Sequence, residues 1–365
     1  MATLLIFLFV IIILVVAHEL GHFFVAKSFG VKVDEFGLGY PPRAKKLFTW
    51  RGTLFTLNWL PFGGFVKIFG EDDGKITETP NAFSNQKLWK RLAILVAGIT
   101  ANMLLAIFLY FLSFSIGFLG NVNDFPQAHV VSNQELTIIE VLKDTPAYTN
   151  GIKVGDKITT LYLDNDDVAF TPHSTEEFIK YIQTNSTKQI HIGVLRDGSE
   201  KFFEMTPKNN VANSKPGIGV GIDEIGVLRM NLWDAFVYGF KYTIMQFKMI
   251  IVSICMIVSS LFSGSTGIAS QLSGPVGIAK FAGAAYSLGI GSFFAFMALI
   301  SVNLAVVNLL PFPALDGGRM VLEFFTTKGK SKISPRVIAG INQIGFLLLI
   351  ILMLWVTYHD IFHPV

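Results

Sequence analysis

His18, Glu19 and His22 stand in the order His-Glu-Leu-Gly-His. On a helix, residues four apart share a face, so the two imidazoles can hold one zinc ion while Glu19 serves as general base for a water at the metal. Two hydrogen-bonded helix histidines would be the alternative. The setting weighs against it, because residues 4–17 are an unbroken apolar run and polar groups beside lipid are costly. Such a metal lacks a third protein ligand. Outside the loops, the segment 120–235, the stretch 234–262 and the tail, the only acids are Glu19 and Asp316, each near the inner end of a predicted span. His129, His173 and His191 fall in the segment 120–235, and His359 and His363 in the tail. Asp316 is therefore the candidate third ligand, against the alternative of a cap or turn residue before Gly317.

The elements that must carry these residues are those of a membrane protein. The 365 residues are 52% hydrophobic and 15% charged, with a mean hydropathy of +0.53, which excludes an ordinary soluble chain. The single Cys255 offers neither a disulfide nor a thiolate cluster, so a metal must rely on His and carboxylate. A net charge of +3 without a basic, aromatic-interleaved stripe gives no reason to expect nucleic acid.

The first span is expected from about Leu4 to Ala26, retained rather than cleaved, because the basic residues follow the apolar run instead of preceding it. Residues 27–91 hold eleven Lys or Arg against six Asp or Glu and are read as cytoplasmic, which puts the N-terminus outside. Within them, Thr53–Leu60, a turn at Pro61-Phe62-Gly63-Gly64 and a return through Phe65–Phe69 read as a β-hairpin dipping toward the metal. A second span, about Leu92 to Leu119, carries Gly98 and Asn102 on one face; that face suits close packing on the first helix near the metal, or simple helix contact. Residues 120–235, with ten bases and sixteen acids, form a soluble domain. Residues 234–262 place Lys241, Lys248 and Ser259 on one helix face and read as interfacial. Spans at about Ser292–Leu310 and Ile338–Thr357 flank a loop of five bases and one acid, a parity that holds with four crossings. Pro311 and Pro313 break the third span beside Asp316, which requires a protein-lined polar cavity there.

Taken together, His18-Glu19-Leu20-Gly21-His22, Asn308-x-x-Pro311 with Leu315-Asp316-Gly317, Pro61-Phe62-Gly63-Gly64-Phe65-Val66-Lys67 and Leu272-Ser273-Gly274-Pro275-Val276-Gly277-Ile278-Ala279-Lys280 resemble the site-2 protease family over nearly the whole chain. The resemblance implies intramembrane peptide hydrolysis, with His18, His22 and Asp316 on Zn2+, Glu19 as base and Asn308 near the substrate or oxyanion. It also implies that the hairpin clamps an unwound substrate as a strand, through Asn58, Phe62, Gly63, Gly64 and Phe65, with Asn102 at the site. The run Asp144 to Ile158 resembles PDZ domains of the bacterial protease-associated type, which bind peptide ends by strand addition. Two departures stand out: Ile99 occupies the place of a usual proline between Gly98 and Asn102, and one PDZ-like domain fits where some relatives have two.

The expected architecture is a polytopic α-helical membrane protein with four transmembrane helices, a membrane-associated β-hairpin and one inserted, β-rich extracytoplasmic PDZ domain. Its parts are 1–119, 120–235 and 236–365. The expected partners are the bilayer, single-pass membrane proteins such as pre-cut anti-sigma factors or remnant signal peptides, and peptide termini at the PDZ domain, with no nucleic acid. The expected place is the bacterial inner membrane, both termini outside. A non-proteolytic receptor or a transporter is the competing reading.

Overall fold

The computed structural model describes residues 2–71, 79–131, 134–164, 169–196, 198–209, 216–263, 274–327, 330–331 and 335–362. Leu272 and Ser273 of the glycine-proline motif lie outside this set, as does the side chain of Phe62. The chain divides into two compact units, one of residues 1–113 with 235–365 and one of residues 114–234.

The first unit begins with α1 (Ala2–Ser28). It stops at Gly30, whose φ of +75° no branched residue would accept. There Val31 N–H donates to Ala26 O at 2.9 Å and Gly30 N–H to Lys27 O at 3.1 Å, which satisfies two end carbonyls. Two long strands follow, β1 (Val33–Trp50) and β2 (Thr53–Ile68). They turn over Arg51 and Gly52, both at positive φ, as a two-residue hairpin turn demands. This corrects the hairpin expected within 53–69. Residues 54–57 and 64–67 do not pair with each other; both pair with 35–38 of β1, one on each side. Residues 33–50 read as polar loop because they hold two glycines, two prolines and five basic or acidic side chains on the returning half and its approach. The strand forms because the prolines sit at the corner between its halves, where no ladder donor is required.

The sheet is held to α1 by aromatic packing. Phe23, one residue after His22, lies 5.8 Å from Phe36 and 5.7 Å from Phe55, and Phe36 stacks on Phe55 at 5.2 Å. Then come α2 (Leu88–Ile116), and after the second unit α5 (Leu232–Ser263), α6 (Pro275–Ser287), α7 (Ile290–Leu309), α8 (Asp316–Glu323), the short pair β12 (Thr326–Thr327) and β13 (Lys330–Ser331), and α9 (Pro335–Phe362). Amides at the start of α6 that have no partner within the helix are met by α9: Gly274 and Gly277 N–H donate to the buried Asp360 carboxylate at 3.0 and 2.8 Å.

Five helices among the described residues are long and apolar enough to cross a membrane, one more than the four spans expected. The additional one is in α5, at 1.7 the least hydropathic of the five. A composition window averages around the helix and so does not register that Lys241 and Lys248 share a face.

The second unit contains β3 (Phe118–Asn121), β4 (His129–Val130), β5 (Glu135–Val141), α3 (Pro146–Thr149), β6 (Lys157–Leu163), α4 (Thr175–Thr184), β7 (Ile190–Arg196), β8 (Ser199–Met205), β9 (Lys208–Asn209), β10 (Pro216–Gly217) and β11 (Val220–Arg229). Its main sheet runs β3-β11-β5-β6-β7-β8, with β4 beside β11. Alternation along β7 sends Ile190, Ile192 and Val194 into one core, and a register shift between Ile158 and Thr160 of β6 lets Ile158 and Leu161 join them; α4 covers the core with Phe178 and Ile182, four apart. Ser174 caps α4 by accepting from Glu177 N–H, and Glu177 accepts in return from His173 N–H.

The turn into β6 is fastened by one charge pair. Asp156, 1% exposed in its side chain, accepts from both Nε and Nη2 of Arg196 at 2.6 Å and from Lys153 N–H at 2.9 Å. Burial pushes this carboxyl up, but the Arg196 and Lys153 bonds outweigh it and hold it below its ordinary value. The pair therefore stabilises fully at neutral pH, and its contribution is lost as pH falls through the depressed value. Arg196→Ala should cost about 3 kcal/mol, because it strands a buried carboxylate. Hydrogen exchange of the full chain would report it as faster exchange in β6–β8 at pH 7, with a smaller difference from the parent in strong acid.

Candidate metal centre

Three backbone segments meet at the centre. The first is α1, which presents His18 and His22 one turn apart. Gly21 lets α1 cross α2 closely: a Cβ there would lie 2.3 Å from Ala97 O. The second is α2, where Gly98 faces the rings themselves, a Cβ there lying 2.3 Å from His22 Nε2 and 2.7 Å from His18 Cε1. The third is the break after α7. Helix α7 ends at Leu309, Pro311 and Pro313 follow, and Ala314 turns the chain at φ +72°. Gly317 and Gly318 then allow α8 to start tight under that turn, since a Cβ on either would stand 2.3 Å from Leu309 O or 2.1 Å from Phe312 O. Asp316, the first residue of α8, is thereby carried to the histidines.

The resulting geometry is compact. His18 Nε2 and His22 Nε2 are 3.1 Å apart, and Asp316 Oδ2 lies 3.0 Å from the first and 3.2 Å from the second. Both histidines are 7% exposed. Among the described residues these three form the one grouping able to hold a metal ion. The far side of each ring is also engaged. His22 Nδ1 is 2.8 Å from Ile94 O, so it donates there and leaves Nε2 as a lone pair facing Asp316. His18 Nδ1 is 3.3 Å from the Asn102 amide. A ligating His18 carries its proton on Nδ1, and Asn102 Oδ1, buried and otherwise without a partner, is the acceptor it needs once the amide turns. Ser301 Oγ donates to Asn102 O at 2.8 Å and so ties α7 to the same point.

A cavity of about 590 Å³ opens onto this cluster. Its wall includes Glu19, Asn308, Tyr40 and the strand segment from Gly63 to Ile68. Gly64 runs directly over the acid, its Cβ position 3.5 Å from Glu19 Cγ. The segment 64–67 has β1 on one side and no second strand among the described residues, so it is a sheet edge beside Glu19.

Among the described residues, the candidate site residues have definite places. His18, His22, Glu19, Asp316, Asn308, Gly63, Gly64 and Phe65 all line the cavity. Asn308 Nδ2 donates to Leu304 O at 3.0 Å. Asn102 is behind His18 rather than in the cavity wall. Asn58 is buried inside the sheet, donating to Gly39 O at 2.9 Å, and is not part of the cavity lining. The backbone of Phe62 belongs to β2. Missed from sequence were the carbonyl of Ile94, which no side-chain pattern could flag, and Tyr40, Glu71 and Arg319, which stood in segments read as loops.

Two imidazoles and one carboxylate, with outer ring nitrogens engaged and a carboxylate at hand beside an open cavity, are a donor set of the kind that metallohydrolase centres use, here set among apolar helices. The chain belongs to Peptidase family M50, whose family model matches residues 6–352. A Clostridium acetobutylicum protein is 32% identical over 355 residues, covering 97% of this chain and 95% of that protein. The zinc metalloprotease RasP of Oceanobacillus iheyensis is 26% identical, covering 99% of each chain, and the regulator of sigma-E protease RseP of Escherichia coli is 26% identical, covering 95% and 96%. A solved PDZ domain of an SdrC-like protein from Listeria monocytogenes aligns at 24% identity over 26% of this chain and 92% of that one, with a TM-score of 0.21.

The fit of Gly98 against the rings makes a direct test. Gly98→Ala should push both imidazoles off their shared point and lower metal affinity at least about tenfold, read as metal content of the purified, folded protein. Parental metal content would show that the rings have room to move aside.

Proposed function

We propose that the protein is an intramembrane zinc metalloprotease that hydrolyses peptide bonds within transmembrane segments of other membrane proteins, with Zn2+ held by His18, His22 and Asp316. The observation that carries this reading is the meeting of those three side chains in a cavity that also holds Glu19 and an open sheet edge. The donor set suits zinc, for which two histidines and one carboxylate are one of the catalytic ligand sets.

Zinc in such a site supplies Lewis acidity and makes a water acidic enough to ionise near neutral pH. The Glu19 carboxylate takes the proton of the attacking water and later delivers it to the leaving amine. The edge 64–67 binds the substrate. A helical substrate hides its carbonyls in its own hydrogen bonds, and pairing with the edge replaces some of those bonds once the segment unwinds. Asn308, also in the cavity wall, is positioned as a polar contact for the scissile region.

The same reading extends to the rest of the chain. The protein is a multi-pass inner-membrane protein in three parts, 1–119, 120–235 and 236–365, with residues 120–235 an extracytoplasmic PDZ domain. Its strand and helix order and its acidic balance support that assignment. On that side, the domain can discriminate against substrates with bulky ectodomains and accept trimmed ones such as pre-cut anti-sigma factors or remnant signal peptides. Four spans cross, and α5 lies at the interface, in keeping with its lysine stripe and the basic loop that follows α7.

Glu19→Gln should retain stoichiometric zinc and lose cleavage by at least about a hundredfold, since an amide keeps the size but cannot accept the proton. Asp316→Asn should instead weaken zinc itself. Hydrolysis surviving in zinc-loaded Glu19→Gln would falsify the role of the acid, and parental zinc affinity in Asp316→Asn would remove it from the ligand set.

Topology is checked with single cysteines at Lys45, Ser199 and Lys330 in a Cys255→Ser background. An impermeant thiol reagent applied to intact cells should label position 199 alone. Labelling at 330 would mean that α5 crosses.

A further inference from the structure

We propose that the ion pair between Glu71 and Arg319 is a positioning device that sets the substrate-receiving strand edge in register with the metal centre. This rests on the edge-strand reading above. Arg319 stands three residues after Asp316 on α8, one turn along the same face, and lines the same cavity as Glu19. Its Nη1 donates to Glu71 Oε1 at 2.8 Å, and the Glu71 side chain is only 9% exposed.

Glu71 is attached to the strand with little slack. It lies three residues beyond Ile68, and its N–H donates to Ile68 O at 3.3 Å. Between them, Phe69 N–H donates to Lys32 O at 2.9 Å and Phe69 O accepts from Phe83 N–H at 2.8 Å. Gly70, at φ +77°, presses on Ala82, with a Cβ position 2.9 Å from that side chain. A displacement of Glu71 is therefore a displacement of the strand end. The pair thus ties the helix that carries a metal ligand to the strand that runs over Glu19, across 248 positions of sequence.

The need for such a tie follows from strand geometry. Successive residues of an added strand are about 3.3 Å apart and alternate in direction, so a slip of one residue presents the wrong group entirely. Hydrolysis tolerates only about 0.5 Å of misplacement. The aromatic packing under the sheet is non-directional and resists sliding weakly. A half-buried charge pair at the strand end is directional and supplies the missing constraint.

The test measures binding rather than turnover. In a Glu19→Gln background, full-length protein is titrated with a labelled single-span peptide in detergent, together with Glu71→Gln, Arg319→Gln and the double variant. Each single change should raise Kd about tenfold with zinc content intact, and the double change should do no more than either alone. The charge exchange Glu71→Arg with Arg319→Glu should recover most of the affinity. Unchanged Kd in the single variants overturns the proposal. Additive losses also overturn it, since they would mean that Arg319 meets the substrate independently of Glu71. Loss of zinc in Arg319→Gln does so too, since the arginine would then serve Asp316. Should the exchanged pair not fold, the neutral variants decide the matter by themselves. A failure of the protease reading is separate: zinc-loaded parent protein would then bind the peptide and leave it uncut.

Discussion

Two imidazole nitrogens and a carboxylate oxygen sit about 3 Å apart inside a body of apolar helices. Uncompensated, an ionised carboxylate in such surroundings costs several kcal/mol. A divalent cation bound there would turn the same cluster into a favourable one, and the packing around it keeps those three atoms together. Gly21 and Gly98 thin the contact between α1 and α2, so that the rings and not the backbones fill the space. The Ile94 carbonyl and Asn102 hold the rings from behind. The prolines after α7 free the chain to turn, and Gly317 and Gly318 let it turn tightly enough to deliver Asp316.

The sheet answers a second constraint. Peptide hydrolysis inside a membrane needs an extended substrate where lipid forbids free backbone groups. On the proposed reading, a sheet with one open edge beside Glu19 would provide partners for those groups without adding a polar wall. Its hold on α1 is through aromatic rings around Phe23, immediately after the second histidine. Helix and sheet are therefore placed by the same turn of α1.

The second unit has a different economy. Its core is largely aliphatic, its helix α4 begins with a reciprocal cap, and its one deeply buried acid among the described residues is satisfied by a bidentate arginine.

The sequence by itself determined which residues are candidates for the chemistry. His18, Glu19 and His22 lie within five residues, so helix periodicity alone puts the two imidazoles on one face, and the scarcity of other acids in apolar segments singles out Asp316 as their candidate partner. Span positions were legible for the same reason, since an apolar run long enough to cross a bilayer has few other uses. Gly98 and Asn102 could be assigned to one helix face, with packing near the metal and simple helix contact both open, and the tertiary structure sets them against the histidine rings. Only the tertiary structure decided the sheet. Its ladder bonds join 35–38 to both 54–57 and 64–67, and side-chain pattern does not encode which backbone a strand will pair with when glycines, prolines and charges interrupt it. For the same reason Asn58 was read as a substrate contact although its amide is spent inside the sheet on Gly39 O. The Glu71 and Arg319 pair was equally hidden, because a salt bridge across 248 residues leaves no local signal in either segment.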